Sequence, residues 1–159
     1  MSLIKIIGAL TVIVSAAVIA RELTLRVDSS VRYVSALRSL LEHTKNMVDC
    51  YSLPASEILR RTDKDIFADC GYKNSTLPRD FCEFLQGIST EDGEAFDIFS
   101  SFARDFGKSY RADEALRCAL YLEKMRSREQ KLIKDSAKRK KVIFTISLCF
   151  ALAVIILMI

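Results

Sequence analysis

The sequence has a single histidine, His43, and none of its five cysteines forms a C-x-x-C pair. One histidine cannot build a histidine-based metal cluster or a serine-histidine-aspartate triad within one chain. The cysteine count is odd and Cys149 lies in a strongly apolar segment, so we do not expect a disulfide framework either. The sequence therefore predicts reduced thiols, no metal site, no cofactor and no enzymatic activity.

Strand signals are weak, because β-branched residues do not alternate with polar residues over any useful length. Helical spacing recurs instead. One apolar stripe advances by three or four residues at a time, as expected for one face of a helix: Val31, Val34, Leu37, Leu41, Thr44 and Val48. The sequence predicts an all-α fold in which long helices flank shorter ones in an antiparallel bundle.

The shorter helices follow from prolines and capping residues. Pro54 suits the first turn of a helix that carries Ile58 and Leu59, and Pro78 is predicted to open a second. That second helix should bury Phe81, Phe84, Leu85 and Ile88.

A longer helix should follow, with Ser89 or Thr90 as its N-cap and Gly107 as a left-handed C-cap. Its predicted core stripe is Ala95, Phe99, Phe102 and Phe106. The last helix is predicted from about Ala112 toward Lys141, with an apolar set made of Leu116, Ala119, Leu120, Leu132 and Ile133.

Charge is almost absent from the two ends of the chain. The first twenty residues carry only Lys5, and the 18 residues of 142–159 carry no charge. As a helix the C-terminal run would extend roughly 27 Å, close to the hydrocarbon thickness of a bilayer. A buried helix of a soluble protein is the alternative, but such a helix is rarely apolar on every face. The N-terminal run from Ile6 to Ala20 fits either an uncleaved anchor or a cleaved signal peptide.

The basic residues favour two anchors with a cytoplasmic middle. Arg21, Arg26 and Arg32 follow the first run, and the four basic residues of 138–141 precede the second. Positive residues beside membrane segments stay on the cytoplasmic side. We therefore expect a two-pass protein of the cell membrane, with anchors at 1–20 and 142–159 and a cytoplasmic helical bundle at 21–141.

Charge is also polarised within the middle block. From Lys124 to Lys141 the net charge is +7, whereas from Arg21 to Glu123 it is −4. Basic residues next to a membrane are attracted to anionic lipid, so we identify candidate lipid-surface residues in Lys138, Arg139, Lys140 and Lys141. Nucleic-acid binding is not expected, because a bilayer would compete for these charges and few aromatic residues lie among them.

Two further motifs have simpler explanations than ligand binding. The tripeptide at 107–109 resembles the end of a P-loop, but Phe102 occupies the position of the first glycine and the preceding segment is predicted helical. The acidic cluster at 91–94 lacks the oxygen spacing of a calcium loop, and the start of a helix accounts for it.

Several segments in order, LRSLLEHTKNMVDCYSLPASEILRR, FARDFG and DEALRCALYLEKMRSREQ, together with the apolar ends, resemble stage III sporulation protein AB. This resemblance implies a subunit of the secretion-like complex that joins mother cell and forespore. It also implies that the cytoplasmic region is similar to the helical bundle of type II secretion protein F. The implied partners are a sporulation ATPase, stage III sporulation protein AA, and other membrane subunits of the complex.

Two functions from different classes remain open. The first is a membrane platform or adaptor that couples a cytoplasmic ATPase to membrane components, docking through its acidic part. The second is a membrane-anchored helical scaffold or envelope factor without a motor partner.

Overall fold

The computed structural model describes residues 3–108 and 110–158, and every regular element in them is a helix. In chain order the helices are α1 (Leu3–Tyr51), α2 (Ala55–Arg61), α3 (Lys64–Asp69), α4 (Phe81–Gly87), α5 (Gly93–Asp105) and α6 (Arg111–Met158). The all-α prediction is confirmed. Helix α3 was not predicted: it has six residues, and Asp63 caps it by accepting from the Asp65 N–H at 3.2 Å.

The chain divides into two compact units. Residues 30–132 form the first, here called the central domain, and residues 1–29 with 133–159 form the second, here called the terminal unit. Helix α1 continues without a break past Ala20, and α6 continues past Lys141, as predicted. The predicted boundaries after residues 20 and 141 stay a prediction.

The core of the central domain is rich in aromatic residues. Phe81 on α4 lies 5.1 Å from Phe102 and 4.9 Å from Phe106, measured between ring centroids. Phe102 also lies 5.8 Å from Tyr121 of α6. Tilted and edge-on rings at these separations add favourable quadrupole contacts to the burial of apolar area. The predicted stripe of α5 is confirmed, with Phe106 only partly buried.

Helix α1 presents a broad apolar face to this core. Five of the six predicted stripe residues are buried, and Val31 is half-buried. Tyr33, Ala36 and Leu40 are buried as well, so the face is wider than a single stripe. The buried Thr44 hydroxyl has a hydrogen-bond partner within the helix, because it donates to the Leu40 carbonyl at 2.8 Å.

The prolines mark helix starts less closely than predicted. Pro54 lies directly before α2, where Ile58 and Leu59 are buried as expected. Pro78 does not open α4, because the helix begins three residues later at Phe81. Asp80 sets that start: its carboxylate accepts the Glu83 N–H at 2.7 Å, satisfying a donor that the first turn leaves unpaired.

The predicted N-cap of α5 is wrong by two or three residues. The cap is Asp92, whose Oδ1 accepts the Ala95 N–H at 2.9 Å, rather than Ser89 or Thr90. The other end is as predicted, since Gly107 follows the helix with a φ of +80°. A residue with a Cβ is disfavoured in that left-handed conformation.

The predicted apolar set of α6 is only partly confirmed, because Leu132 packs against the core but three of the other members are exposed. Leu116 is 72% exposed and Leu120 is 54% exposed, while Ile133 is 48% exposed. The face of α6 that packs in the central domain instead carries Cys118, Tyr121, Leu122 and Met125.

The structure does not support the two predicted transmembrane helices. Over the described residues, no helix holds a stretch both long and apolar enough to cross a membrane. Part of each predicted anchor lies outside the described residues: residues 1, 2 and 159, and the side chains of residues 3–7, 9, 10, 12, 151, 155, 157 and 158.

Candidate functional site

The four basic residues predicted for the lipid surface lie together on α6 in the terminal unit, but they do not form one patch. Consecutive residues of an α-helix are about 100° apart, so four in a row fan around most of its circumference. Lys138, Arg139 and Lys141 are exposed. Lys140 faces α1, where its Nζ lies 2.5 Å from Asp28 Oδ1. Three of the four charges are therefore available to an external anion.

Lys140 and Arg21 line the same cavity of the terminal unit. This cavity has a volume of about 430 Å³, and the other residues around it are mostly apolar: Ala20, Thr24, Leu25, Ile143 and Phe144. Cations beside an apolar wall match a group that joins an anionic head to a hydrocarbon chain. Arg21 was recognisable in the sequence as a basic residue after the first apolar run, but its sharing of a cavity with Lys140 depends on packing between residues more than a hundred positions apart.

Ion pairs connect α1 and α6 within the central domain. Arg38 on α1 lies 2.9 Å from Glu42 and 2.8 Å from Glu129 of α6. The second distance fits an ion pair, although Arg38 Nε is not aligned for a hydrogen bond. Arg126 of α6 completes the group at 3.2 Å from Glu42. These side chains are partly exposed, so their contribution to the free energy of folding is small compared with that of the core.

A more buried ion pair connects α5 and α6. Arg128 Nε and Nη2 donate to the two carboxylate oxygens of Asp92 at 3.0 and 2.6 Å, and Nη1 lies 2.6 Å from Glu94 Oε2. Burial acts to raise the pKa of Asp92, but the hydrogen bonds from Arg128 and the Ala95 N–H outweigh it and hold this pKa below its usual value. The acidic cluster is thus a helix start, as predicted, with an arginine that the sequence did not reveal.

The lowered pKa of Asp92 predicts a stability difference that depends on pH. Its folded-state pKa lies below the unfolded value of about 3.9, so the carboxylate stabilises the fold above about pH 4. That contribution should be lost as pH falls through the folded-state pKa. We expect Asp92→Asn to be destabilising near neutral pH and to approach the unmodified protein in stability at low pH, measured by urea unfolding. Asp97→Asn, at an exposed site on α5, is the control. If the difference in unfolding free energy between Asp92→Asn and the unmodified protein stays constant across this pH range, the lowered pKa of Asp92 is contradicted.

The thiols in the core are poor nucleophiles. Cys70 and Cys118 are buried, and burial raises the pKa of each to about 12. Both therefore remain protonated near neutral pH. Cys50, Cys82 and Cys149 are exposed, and all five cysteines are unpaired. Among the described residues, no three His, Cys, Asp or Glu side chains come together in a group that could hold a metal ion.

The P-loop-like tripeptide has the wrong surroundings for a phosphate cradle. Gly107 follows a helix, whereas a P-loop follows a strand. Ser109 lies outside the described residues. A residue that was not predicted to be functional, Glu114, has a carboxylate buried in the first turn of α6. A glutamate at the start of a helix usually faces solvent, so no local pattern indicates this burial.

Comparison with known proteins identifies one family. The family model described as stage III sporulation protein AB matches residues 5–159. No curated protein matches the chain, and no solved structure does.

Proposed function

The chain belongs to the stage III sporulation protein AB family, and we propose that it is an adaptor that couples a cytoplasmic ATPase to membrane components of a secretion-like sporulation complex. Family membership carries this proposal, since the matched region takes in nearly the whole chain, and it indicates a role in stage III of sporulation. The partner is stage III sporulation protein AA, together with other membrane subunits. A helical scaffold without a motor partner is the second candidate.

The packing of the central domain supports an adaptor role. A subunit that transmits force between partners needs elements that move as one body, because a loosely packed domain would absorb the movement. Aromatic contacts connect α4, α5 and α6. Ion pairs from Arg38 and Arg128 connect α1 to α6 and α5 to α6. Most of these contacts join residues far apart in sequence, so they oppose separation of the helices.

The acidic exposed residues are the proposed docking surface for the ATPase. The residues from Arg21 to Glu123 carry a net charge of −4. Asp92 and Glu94 belong to the internal ion pair with Arg128, so they are unsuitable as probes of this surface. Glu91 and Asp97 are exposed and more suitable. Electrostatic complementarity would favour a basic patch on the partner.

Two variants of the full chain test this surface by their affinity for the purified ATPase at low and high salt. Replacing Lys138, Arg139 and Lys141 by glutamine should leave the affinity within about twofold, while weakening adhesion to anionic vesicles. Replacing Glu91 and Asp97 by lysine should weaken ATPase binding at low salt by about tenfold. If the glutamine variant instead loses the ATPase, docking uses the basic end. If the unmodified chain does not bind the ATPase under any of these conditions, the adaptor function is wrong and the scaffold function is favoured.

We also propose that the apolar ends anchor the chain in the cell membrane, with the central domain in the cytoplasm. The terminal unit exposes many large apolar side chains that water solvates poorly: Ile13, Val14, Val18, Ile19, Val142, Phe144, Ile146, Leu148 and Phe150. Basic residues flank both apolar ends on the side of the central domain, as the positive-inside rule requires of a cytoplasmic middle.

Cysteine labelling of intact cells tests this topology. In a Cys149→Ser background, an impermeant thiol reagent should label a cysteine added after Ile159. It should reach Cys50 and Cys82, which are exposed, only after permeabilisation. Cys70 is buried, so we expect it to stay unlabelled whichever side of the membrane the central domain occupies. Labelling of Cys82 in sealed cells would place the central domain outside and favour a cleaved signal peptide.

A further inference from the structure

The central domain contains a cavity of about 460 Å³ between the end of α1, the α1–α2 connection, the end of α5 and the start of α6. Its wall is mainly apolar, from Val48, Leu53, Pro54, Ala55 and Phe106. Ser52 of this connection also lines the cavity and has a φ of 52°. Clefts of this volume with apolar walls and few polar groups are typical of sites for small molecules or single side chains.

Among the residues that the structure describes, one ionisable side chain that lines this cavity has no hydrogen-bond partner. Glu114 is 5% exposed, and among the described residues neither of its carboxylate oxygens has a hydrogen-bond partner. Its backbone is fixed, because its N–H donates to the Tyr110 carbonyl at 2.9 Å. Buried carboxyl groups in proteins nearly always have a partner, whether they are charged or neutral. The missing partner is therefore expected to enter through the cavity.

Two basic side chains in this part of the central domain have other partners. Arg111 lines the cavity, but its guanidinium donates to the backbone carbonyl of Asp49 at the end of α1. Lys45 lies 2.7 Å from the Asp49 carboxylate. Among the described residues, no basic side chain hydrogen-bonds to Glu114, so a cation that enters the cavity can supply this partner.

We propose that this cavity binds an alkylguanidinium or alkylammonium group, the chemistry that ends an arginine or lysine side chain or a polyamine. The methylenes of such a group would pack against Leu53, Pro54 and Phe106, as the stems of basic side chains do on apolar surfaces. Its cationic head would donate to Glu114 in a charge-assisted hydrogen bond. The site does not depend on the proposed adaptor role, and either can fail without the other.

The binding test compares two probes of the same shape, n-butylguanidinium and n-butylurea, against the purified full chain by ligand-observed NMR titration. The charged probe should bind at least about tenfold more tightly than the neutral one. Glu114→Gln should abolish this preference while conserving side-chain shape. Glu123→Gln, at an exposed position of the same helix, should retain it. Equal binding of the two probes, or a preference that survives in Glu114→Gln, overturns the proposal.

A second variant covers the case in which Glu114→Gln alters folding. Ala55→Leu adds three carbons to the cavity wall and leaves the carboxylate in place. It should weaken n-butylguanidinium binding by about tenfold, since filling the apolar part removes the space for the methylenes. Unchanged affinity in this variant would contradict the site.

The source of the cation is decided by comparing spermidine with the peptide acetyl-Gly-Gly-Arg-Gly-Gly-amide. Tighter spermidine binding that requires Glu114 assigns the site to a free polyamine. Tighter peptide binding that requires Glu114 assigns it to a basic side chain of a partner protein. If neither binds above the level of Glu114→Gln, the proposal is wrong.

Discussion

Replacing Phe102 by alanine is expected to lower the free energy of unfolding by about 3–5 kcal/mol. Phe102 is 1% exposed, and its ring contacts those of Phe81, Phe99, Phe106 and Tyr121 at centroid distances of 5.1, 5.5, 5.4 and 5.8 Å. The substitution removes burial and also leaves a cavity where α4, α5 and α6 meet. Such a loss is a large fraction of the stability of a domain of this size.

Urea unfolding followed by far-UV circular dichroism measures this effect, with Leu120→Ala as the matched control. Leu120 is 54% exposed on α6, so its truncation should change the unfolding free energy by less than about 0.5 kcal/mol. Equal losses in the two variants would mean that Leu120 is buried against a surface in the intact protein, or that Phe102 is outside the core.

Arg128→Met should destabilise the fold by about 3–5 kcal/mol, because it leaves a buried carboxylate without its partner. The Asp92 side chain is 8% exposed and that of Arg128 is 21% exposed. Asp92 would keep the Ala95 N–H as a donor but would lose both guanidinium hydrogen bonds. The methionine preserves most of the apolar stem, so the loss reports on the charge pair.

Arg126→Met is the matched control on the same helix. Its pair with Glu42 spans 3.2 Å between side chains that are 45% and 41% exposed, so about 1 kcal/mol or less is expected. Adding Asp92→Asn to Arg128→Met should recover part of the loss, because it removes the unpaired charge. Similar losses in the two arginine variants would show that burial does not set the strength of these pairs.

Elements with a single strong periodicity were predictable from the sequence. Helix α5 combines an apolar stripe at helical spacing with Gly107 just beyond its end, and both features are local. The stripe of α1 was found for the same reason. Helix caps were harder to predict, because Asp92 and Ser89 are both good capping residues. Only packing decides which of the two begins the helix.

The face of α6 could not be chosen from spacing. Leu116 and Leu120 are one helical turn apart, and so are Cys118 and Leu122. The pair of two leucines is the more hydrophobic one, yet Cys118 and Leu122 are the buried pair. The choice depends on the shape of the aromatic core, which accommodates Tyr121 against Phe102.

The candidate sites were the least predictable part. Asp92 and Arg128 are 36 residues apart, and nothing local connects them. The cavity beside Glu114 forms where two stretches that are about 50 residues apart in the sequence, 48–55 and 106–114, come together. The basic run at 138–141 was recognisable by composition, but the orientation of Lys140 toward Asp28 required the packing of α1 and α6 within the terminal unit.

The proposed coupling is tested most directly by the rate of ATP hydrolysis of the purified sporulation ATPase, measured with and without the full chain. An adaptor that transmits conformational change must bind the conformational states of its partner with different affinities, so it should shift their populations and with them the rate. We expect the rate to change as the chain is titrated and to saturate. The variant with lysine at positions 91 and 97 should require a higher concentration to reach the same effect. If the chain is shown to bind and the rate of ATP hydrolysis still does not change at saturation, coupling is contradicted and the scaffold function is favoured.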